Sequence, residues 1–520
     1  MTRSRSARRP RLELTGNRRR DVTRNRLGVM RNRLGAMLRH GRPRRRRKTA
    51  GSRRGWPPWE GASSLAWTTS KQEVALPVVD STEKFCNSNV LVSRPVMPVS
   101  TLPRRFYYGW LVAGAASGIQ FANAVTAIGI LTVFVIPMSE EFGWNRTEMA
   151  GATSLGSVLG AALAPFSGRL VDRFGARVIL VVGGLVVVVG CLYLSMAQAL
   201  AGFYVAFTTV RIADQGLIQI GASVSVSKWF LRRRGRAVGL VFFGGSFGMI
   251  VMAPAVQFVI ATWDWRTAWV ALSATMLCVG VIPAALFIRR QPEYMGLVID
   301  GADPRTPVSR GADAERDERW VPLGEVIRTP AFWVILVSLF LASSAISGVG
   351  LHLVPHLTQQ GLSPTAAVAA VSVMAISGAV AALVSGVLAE TMSVKLLLML
   401  AYLLGAVSMW TLIHADTLTE TYLFAVMQGF LGTGVNTLAP IMWASYYGRR
   451  SLGGIFGMSR AAQVSGFAVG PLVSAVVFDS TGSYRGAFVS LGMVAILASL
   501  LLWAARRPVS VLTHRRSTDT

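Results

Sequence analysis

The chain has 520 residues, 52% of them apolar and only 15% charged, with a mean hydropathy of +0.46 and a net charge of +28. This composition excludes an ordinary soluble domain and points to a polytopic membrane protein. The charge does not mark a nucleic-acid binder, because residues 1–105 hold 26 Lys/Arg against 6 Asp/Glu, which is 20 of the 28 net charges.

That basic leader contains "RNRLGVM" followed at once by "RNRLGAM", then "RPRRRRK", and no useful apolar run. It cannot bury enough surface to fold and is expected to be disordered. Two readings stand: an Arg-rich targeting or acid-binding arm, or upstream sequence ahead of a true start near Met97. Of the three cysteines, Cys86, Cys191 and Cys278, the last two fall in apolar runs and read as small hydrophobes.

From Tyr107 onward, apolar segments long enough to cross a hydrocarbon core follow one another. They predict twelve transmembrane helices at about 109–136, 148–168, 177–197, 201–227, 237–261, 267–288, 331–354, 365–388, 396–414, 420–445, 454–478 and 486–505. The turns after spans two, four and ten read "GRLVDRFGAR", "KWFLRRRGR" and "YYGRR", and the chain leaves span twelve through "ARRP". The opposite turns are poorer in cations, so the positive-inside rule puts the arginine-rich face and both termini in the cytoplasm. The Ala/Arg/Gly/Val-heavy composition suggests a high-GC bacterium and hence its inner membrane, where the sequon Asn145-Arg146-Thr147 would have no meaning.

A polar segment at 289–330 reads as a cytoplasmic linker between an N-terminal six-helix bundle (106–288) and a C-terminal one (331–505), with a tail at 506–520. The two bundles resemble each other in sequence. At an offset of 218, Pro137 falls on Pro355, Gly143 on Gly361, Gly168 on Gly386, Asp172 on Glu390, Arg177 on Lys395 and Gly235 on Gly453; one residue later, Arg266 falls on Arg485. The expected fold is all-α, two pseudo-symmetric copies of one six-helix unit.

The turn after span two spells G-x-x-x-D-R-x-G-x-R through Gly168, Asp172, Arg173, Gly175 and Arg177. This resembles the signature of the major facilitator superfamily, and the resemblance implies a cytoplasmic latch between the halves. The second copy, "GVLAETMSVK", keeps the glycine, Glu390 and Lys395 but loses the middle arginine. "YYGWLV", "EEFGWNRTE", "KWFLRRRGRAVGLVFFGGSFG" and "HLVPHLTQQGLSP" resemble the monocarboxylate transporter and oxalate:formate antiporter branch, which implies transport of small carboxylates by proton symport or anion exchange. The resemblance does not extend to the basic residue in span one and the acid/base pair in span eight of close monocarboxylate carriers, which counts against proton-coupled lactate-type transport, while the deep cation Arg211 still favours an anion.

Ionisable groups at membrane depth are the default site candidates. Arg211 stands about 15 Å into span four at 1.5 Å per residue, near the expected midplane site, and Asp214 follows one turn later. Either the two neutralise each other as bundle glue, or Asp214 holds Arg211 for a substrate carboxylate and couples protons to its movement. Gln215 and Gln219 extend this face. In span eleven, Arg460 with Gln463 reads either as a ligand, as the resemblance to the oxalate branch implies, or as a gate or snorkelling anchor. Asn123, Asn436 and Gln428 are candidate cavity hydrogen-bonders or helix glue. His352 and His356, spaced i,i+4, could bind a metal or sense pH but read better as surface groups.

The sequence thus predicts a secondary transporter of a small organic anion, with protons or a counter-anion and the bilayer as its other partners. An exporter of hydrophobic or neutral compounds and a solute receptor are the alternatives. It carries no nucleotide-binding signature and no catalytic or metal arrangement, so no enzyme, cofactor or nucleic-acid partner is expected.

Overall fold

The computed structural model describes residues 107–144, 146–301, 321–350, 352–415, 417–449 and 451–506. The leader, Asn145 of the sequon, Leu351, Asp416, Arg450, the middle of the linker and the tail beyond Arg506 lie outside the described residues. Every regular element among those described is helical. In chain order they are α1 (Gly109–Ala122), α2 (Ile128–Phe142), α3 (Arg146–Phe174), α4 (Ala176–Ser195), α5 (Leu200–Ala213), α6 (Gln219–Ser227), α7 (Arg234–Thr262), α8 (Trp265–Thr275) and α9 (Ile282–Phe287). After the linker come α10 (Leu323–Val326), α11 (Pro330–Gly350), α12 (Leu353–Gln359), α13 (Pro364–Leu388), α14 (Val394–Ile413), α15 (Leu418–Tyr447), α16 (Leu452–Thr481) and α17 (Tyr484–Ala504), besides short 3-10 and π turns.

Ten helical stretches among the described residues are long and apolar enough to cross a membrane. Spans four and ten do not meet that measure. Span four carries Arg211, Asp214, Gln215 and Gln219, and α15 carries Glu420, Gln428 and Asn436 along its length. Span four is also divided into α5 and α6 by a π-helical turn at Asp214–Ile218, as span six is at Met276–Val281. Span one is also divided: a 3-10 turn at Asn123–Thr126, followed by Ala127 in extended backbone, separates α1 from α2. Such interruptions free backbone groups that hydrocarbon cannot satisfy, so they are tolerated only where protein covers them.

The halves pack by one pattern. Span one packs on five, two on four and three on six in the first half; seven packs on eleven, eight on ten and nine on twelve in the second. Across the halves, α3 packs on α16 and α7 on α13. Glycines permit both crossings. A Cβ on Gly168 would collide with the Gly453 carbonyl, and one on Gly386 with the Gly235 carbonyl, so backbone lies against backbone at two repeat-related points.

Each crossing carries a carboxylate. Asp172 accepts from the backbone N–H of Gly453 (3.1 Å) and Gly454 (2.8 Å) and pairs with Lys228 (3.1 Å). Its counterpart Glu390 accepts from the backbone N–H of Arg236 (3.1 Å) and pairs with that guanidinium at 2.9 Å. Each acid thereby caps the first turn of a helix in the other half, where the helix dipole favours negative charge. Gly175, at φ +87°, ends α3 in a conformation few side chains adopt. Arg173 is exposed, with its guanidinium 5.3 Å from the Phe174 ring centroid, and Arg177 is exposed. Lys395, expected beside them, donates instead to the Trp503 (2.7 Å) and Ala505 (2.8 Å) carbonyls and caps the last helix of its own half.

Candidate functional site

Two cations approach the same level from opposite faces. Arg211 lies eleven residues from the start of α5 and Arg460 eight from the start of α16, about 16 Å and 12 Å at 1.5 Å per residue. Together these depths nearly span a hydrocarbon core of about 30 Å, so the two guanidinium groups are brought to one depth.

Asp214 is the centre of the network, 2% exposed at the first residue of the π turn. Its Oδ1 accepts from Asn123 (2.7 Å) and Gln219 (3.1 Å), and its Oδ2 from Arg211 (2.9 Å) and Gln215 (2.6 Å). Arg211 also donates to the Thr126 carbonyl (3.0 Å) and the Ser157 hydroxyl (2.9 Å). The break in span one is thus what presents Asn123 and the Thr126 carbonyl to span four. Glycines on α3 set the packing distance. A Cβ on Gly156 would lie 2.5 Å from the Arg211 Cβ, and one on Gly160 2.9 Å from the Gln215 Cβ.

Gln215 joins the halves, because its Oε1 accepts from Arg460 Nη2 at 2.7 Å. Arg460 donates further to Asn436 (3.4 Å) and Gln463 (3.3 Å), and Gln463 in turn to the Ser459 hydroxyl. Arg460 is buried, 8% exposed, so the snorkelling alternative does not describe its position. Its partners are all neutral amides, and no carboxylate lies within ion-pairing distance of it among the described residues. The Nε groups of Arg211 and Arg460, and Asn123 Oδ1, are buried without a partner.

Asn123, Arg211, Asp214, Gln215, Asn436 and Arg460 therefore meet in one buried network. The sequence reading missed Ser157 and Gln120, whose amide bonds Gln219 at 3.0 Å. The signal available for both was a polar residue inside an otherwise apolar run at the depth of Arg211. Gln428 lies elsewhere: it accepts from Ser408 and donates to the Ile346 carbonyl, as helix glue. His352 and His356 do not act as a pair. Their rings face the Pro471 and Leu412 carbonyls respectively, and His356 is buried rather than on the surface.

Two repeated helical halves enclosing a charged network at membrane depth define an integral multi-pass membrane protein of the transporter type. A family model described as Major Facilitator Superfamily matches residues 111–421 and 353–519. The chain belongs to the Major Facilitator Superfamily. It is similar to Monocarboxylate transporter 11 of Mus musculus, 28% identical over 402 residues, covering 73% of this chain and 83% of the relative. It is also similar to Monocarboxylate transporter 12-B of Danio rerio, 24% identical over 421 residues, covering 78% and 88%. Among solved structures, the transporter FucP in the outward conformation superposes with a TM-score of 0.61 at 12% identity, covering 77% of this chain and all of that one. That likeness shows the fold alone.

Proposed function

We propose that the protein is a secondary active transporter of a small organic anion, a mono- or dicarboxylate, working by alternating access. The observation that carries this reading is Arg460, a buried guanidinium bonded only to neutral amides. A cation taken out of water without a counter-charge is strongly disfavoured, and a carboxylate is the planar acceptor that a guanidinium fork takes. The names of the similar monocarboxylate transporters support the same substrate class.

With Asp214 ionised, Arg211, Asp214 and Arg460 sum to one positive charge, which a monocarboxylate neutralises. Protonation of Asp214 would free Arg211 for the substrate and is the proposed route of proton coupling. A carrier that reorients only when its cation is covered would exchange anions instead. In this reading the arginine-rich face is cytoplasmic, as are both termini. Among the described residues the bonds that join the halves lie at the candidate site or on that side of it, which supports reading the state as outward-facing. The Gly168–Arg177 segment and Glu390 serve as the closed latch.

The test is uptake of labelled mono- and dicarboxylates into proteoliposomes, with and without a pH gradient or an internal counter-anion. Arg460→Gln and Arg211→Gln should each weaken uptake about thirtyfold or more, because removing one partner of a buried charge-assisted contact costs about 2 kcal/mol or more. In Asp214→Asn, loss of the gradient response with retained exchange assigns coupling to that carboxylate. Entry of no carboxylate, or unchanged uptake in both arginine variants, overturns the reading and redirects the search to neutral or hydrophobic solutes.

A further inference from the structure

At the outer end of the first half, the end of span one is tied to the start of span six. Glu141 accepts from Arg266 through two nitrogens, at 2.9 and 2.5 Å, and from the Trp265 indole at 2.7 Å. In the second half the cation and the ring return but the acid does not. Arg266 corresponds to Arg485 and Trp265 to Tyr484, while Glu141 corresponds to Gln359. The backbone is equivalent at this point, since Gly143 and Gly361, two residues beyond the exchanged pair, both adopt positive φ (+71° and +90°).

Where the carboxylate is lost, there is a cavity of about 420 Å³, lined by Gln359, Arg485, Tyr484, His356, His414 and Gln360 among others. Both histidines replace methionines of the first half: Met138 corresponds to His356 and Met196 to His414. The exchange thus removes an acid and adds two nitrogen heterocycles around the same cation. The Arg485 side chain has no carboxylate partner, and no carboxylate lines the cavity, among the described residues.

We propose that this cavity is a second carboxylate site, in which an external carboxylate takes on Arg485 the place that Glu141 takes on Arg266. His414 is exposed and its Nδ1 lies 2.9 Å from the Trp410 carbonyl. A carbonyl only accepts, so Nδ1 carries the hydrogen and Nε2 keeps a free lone pair, a nucleophile beside the arginine that holds the carboxylate. Burial holds the His356 imidazole below its ordinary pKa, so it stays neutral and Arg485 supplies the charge. The site lies outside the central network and does not depend on what that network transports.

Bromoacetate tests this directly on the full chain in proteoliposomes. Its carboxylate docks on the arginine while the imidazole nitrogen attacks the CH2 group; an N–C bond forms, bromide leaves, and the ring proton passes to water. The product is read by peptide mass spectrometry, with neutral bromoacetamide as the control reagent and His352 as the internal reference. Bromoacetate should modify His414 about tenfold faster than bromoacetamide does, the enhancement expected where a cation gathers an anion, and acetate should protect. Arg485→Gln should reduce the rate to that of the neutral reagent. Gln359→Glu, which restores the internal acid, should do the same without lowering the melting temperature. Equal rates for the two reagents, or an unchanged bromoacetate preference in both variants, would overturn the proposal. Because no transport is measured, failure here is distinct from failure of the central site.

Discussion

Span four carries Arg211, Asp214 and Gln215; at the same repeat positions span ten carries Gly429, Gly432 and Thr433. The packing nonetheless corresponds. A Cβ on Gly160 would meet the Gln215 side chain, and one on its counterpart Gly378 would meet the Thr433 hydroxyl at 2.7 Å. Arg460, the second half's cation, answers to Phe242 in the first. The crossings behave differently, since Gly168 and Gly386, Gly235 and Gly453, and Asp172 and Glu390 all hold their repeat partners. A rocking pair of bundles needs matching contacts on both sides of its axis, whereas a ligand lying across that axis needs each group only once. The duplication is therefore kept at the two crossings and absent at the candidate site.

The sharpest way to break this comparison is to fill the two glycine crossings. Gly168→Val and Gly386→Val each place a side chain against backbone that cannot turn aside. Overpacking of this kind costs about 1–3 kcal/mol, and because it acts on the closed state alone, each variant should lose transport at least about tenfold and by similar amounts. Gly114→Ala, where the new methyl meets nothing within 4 Å, is the control and should transport normally. Uptake assays with melting temperatures decide it. A tolerated valine at one crossing only would show that the two are not functional equivalents.

How much of this was legible in the sequence depends on whether the cause was local. Spans three, nine and twelve were expected at 177–197, 396–414 and 486–505 and run Ala176–Ser195, Val394–Ile413 and Tyr484–Ala504, because an apolar run between polar turns sets them. Span two was expected to end at Gly168, yet its helix continues through Asp172 to Phe174; hydropathy marks the membrane edge and not the helix end. The breaks at Asn123 and Asp214 have no proline or start signal to announce them and exist through contacts with each other's spans. Counted within its own span, Arg460 admits a ligand, a gate or a snorkelling anchor alike. Only the convergence of two helices from opposite faces shows that it reaches Gln215.

Neutralising the two capping acids sharpens the comparison further. A carboxylate at a helix N-terminus is worth about 0.3–1 kcal/mol, so Asp172→Asn and Glu390→Gln should each shift the closed latch toward opening by up to about fivefold. Asp172→Asn should be the larger, because it strands Lys228, whose side chain is 9% exposed, whereas Arg236 at the other crossing is 54% exposed and returns to water. Distances between spin labels on the two halves would report the shift. The double variant should be additive, since the crossings share no partner. Strong coupling would mean that the halves close through one connected element and not two.

The smallest effect is expected at Lys395, whose hydrogen bonds stay within its own half. Its position answers to Arg177, but its ammonium caps the carbonyls that end span twelve within its own half. Lys395→Met should cost about 0.3–1 kcal/mol of that cap, a fall in melting temperature of about 1–2 °C, and leave transport within about twofold of the parent. A loss of transport comparable to that of Glu390→Gln would instead extend the latch to Lys395. The terminal cation of the second copy would then take part in closure, although among the described residues its hydrogen bonds go to carbonyls of its own half.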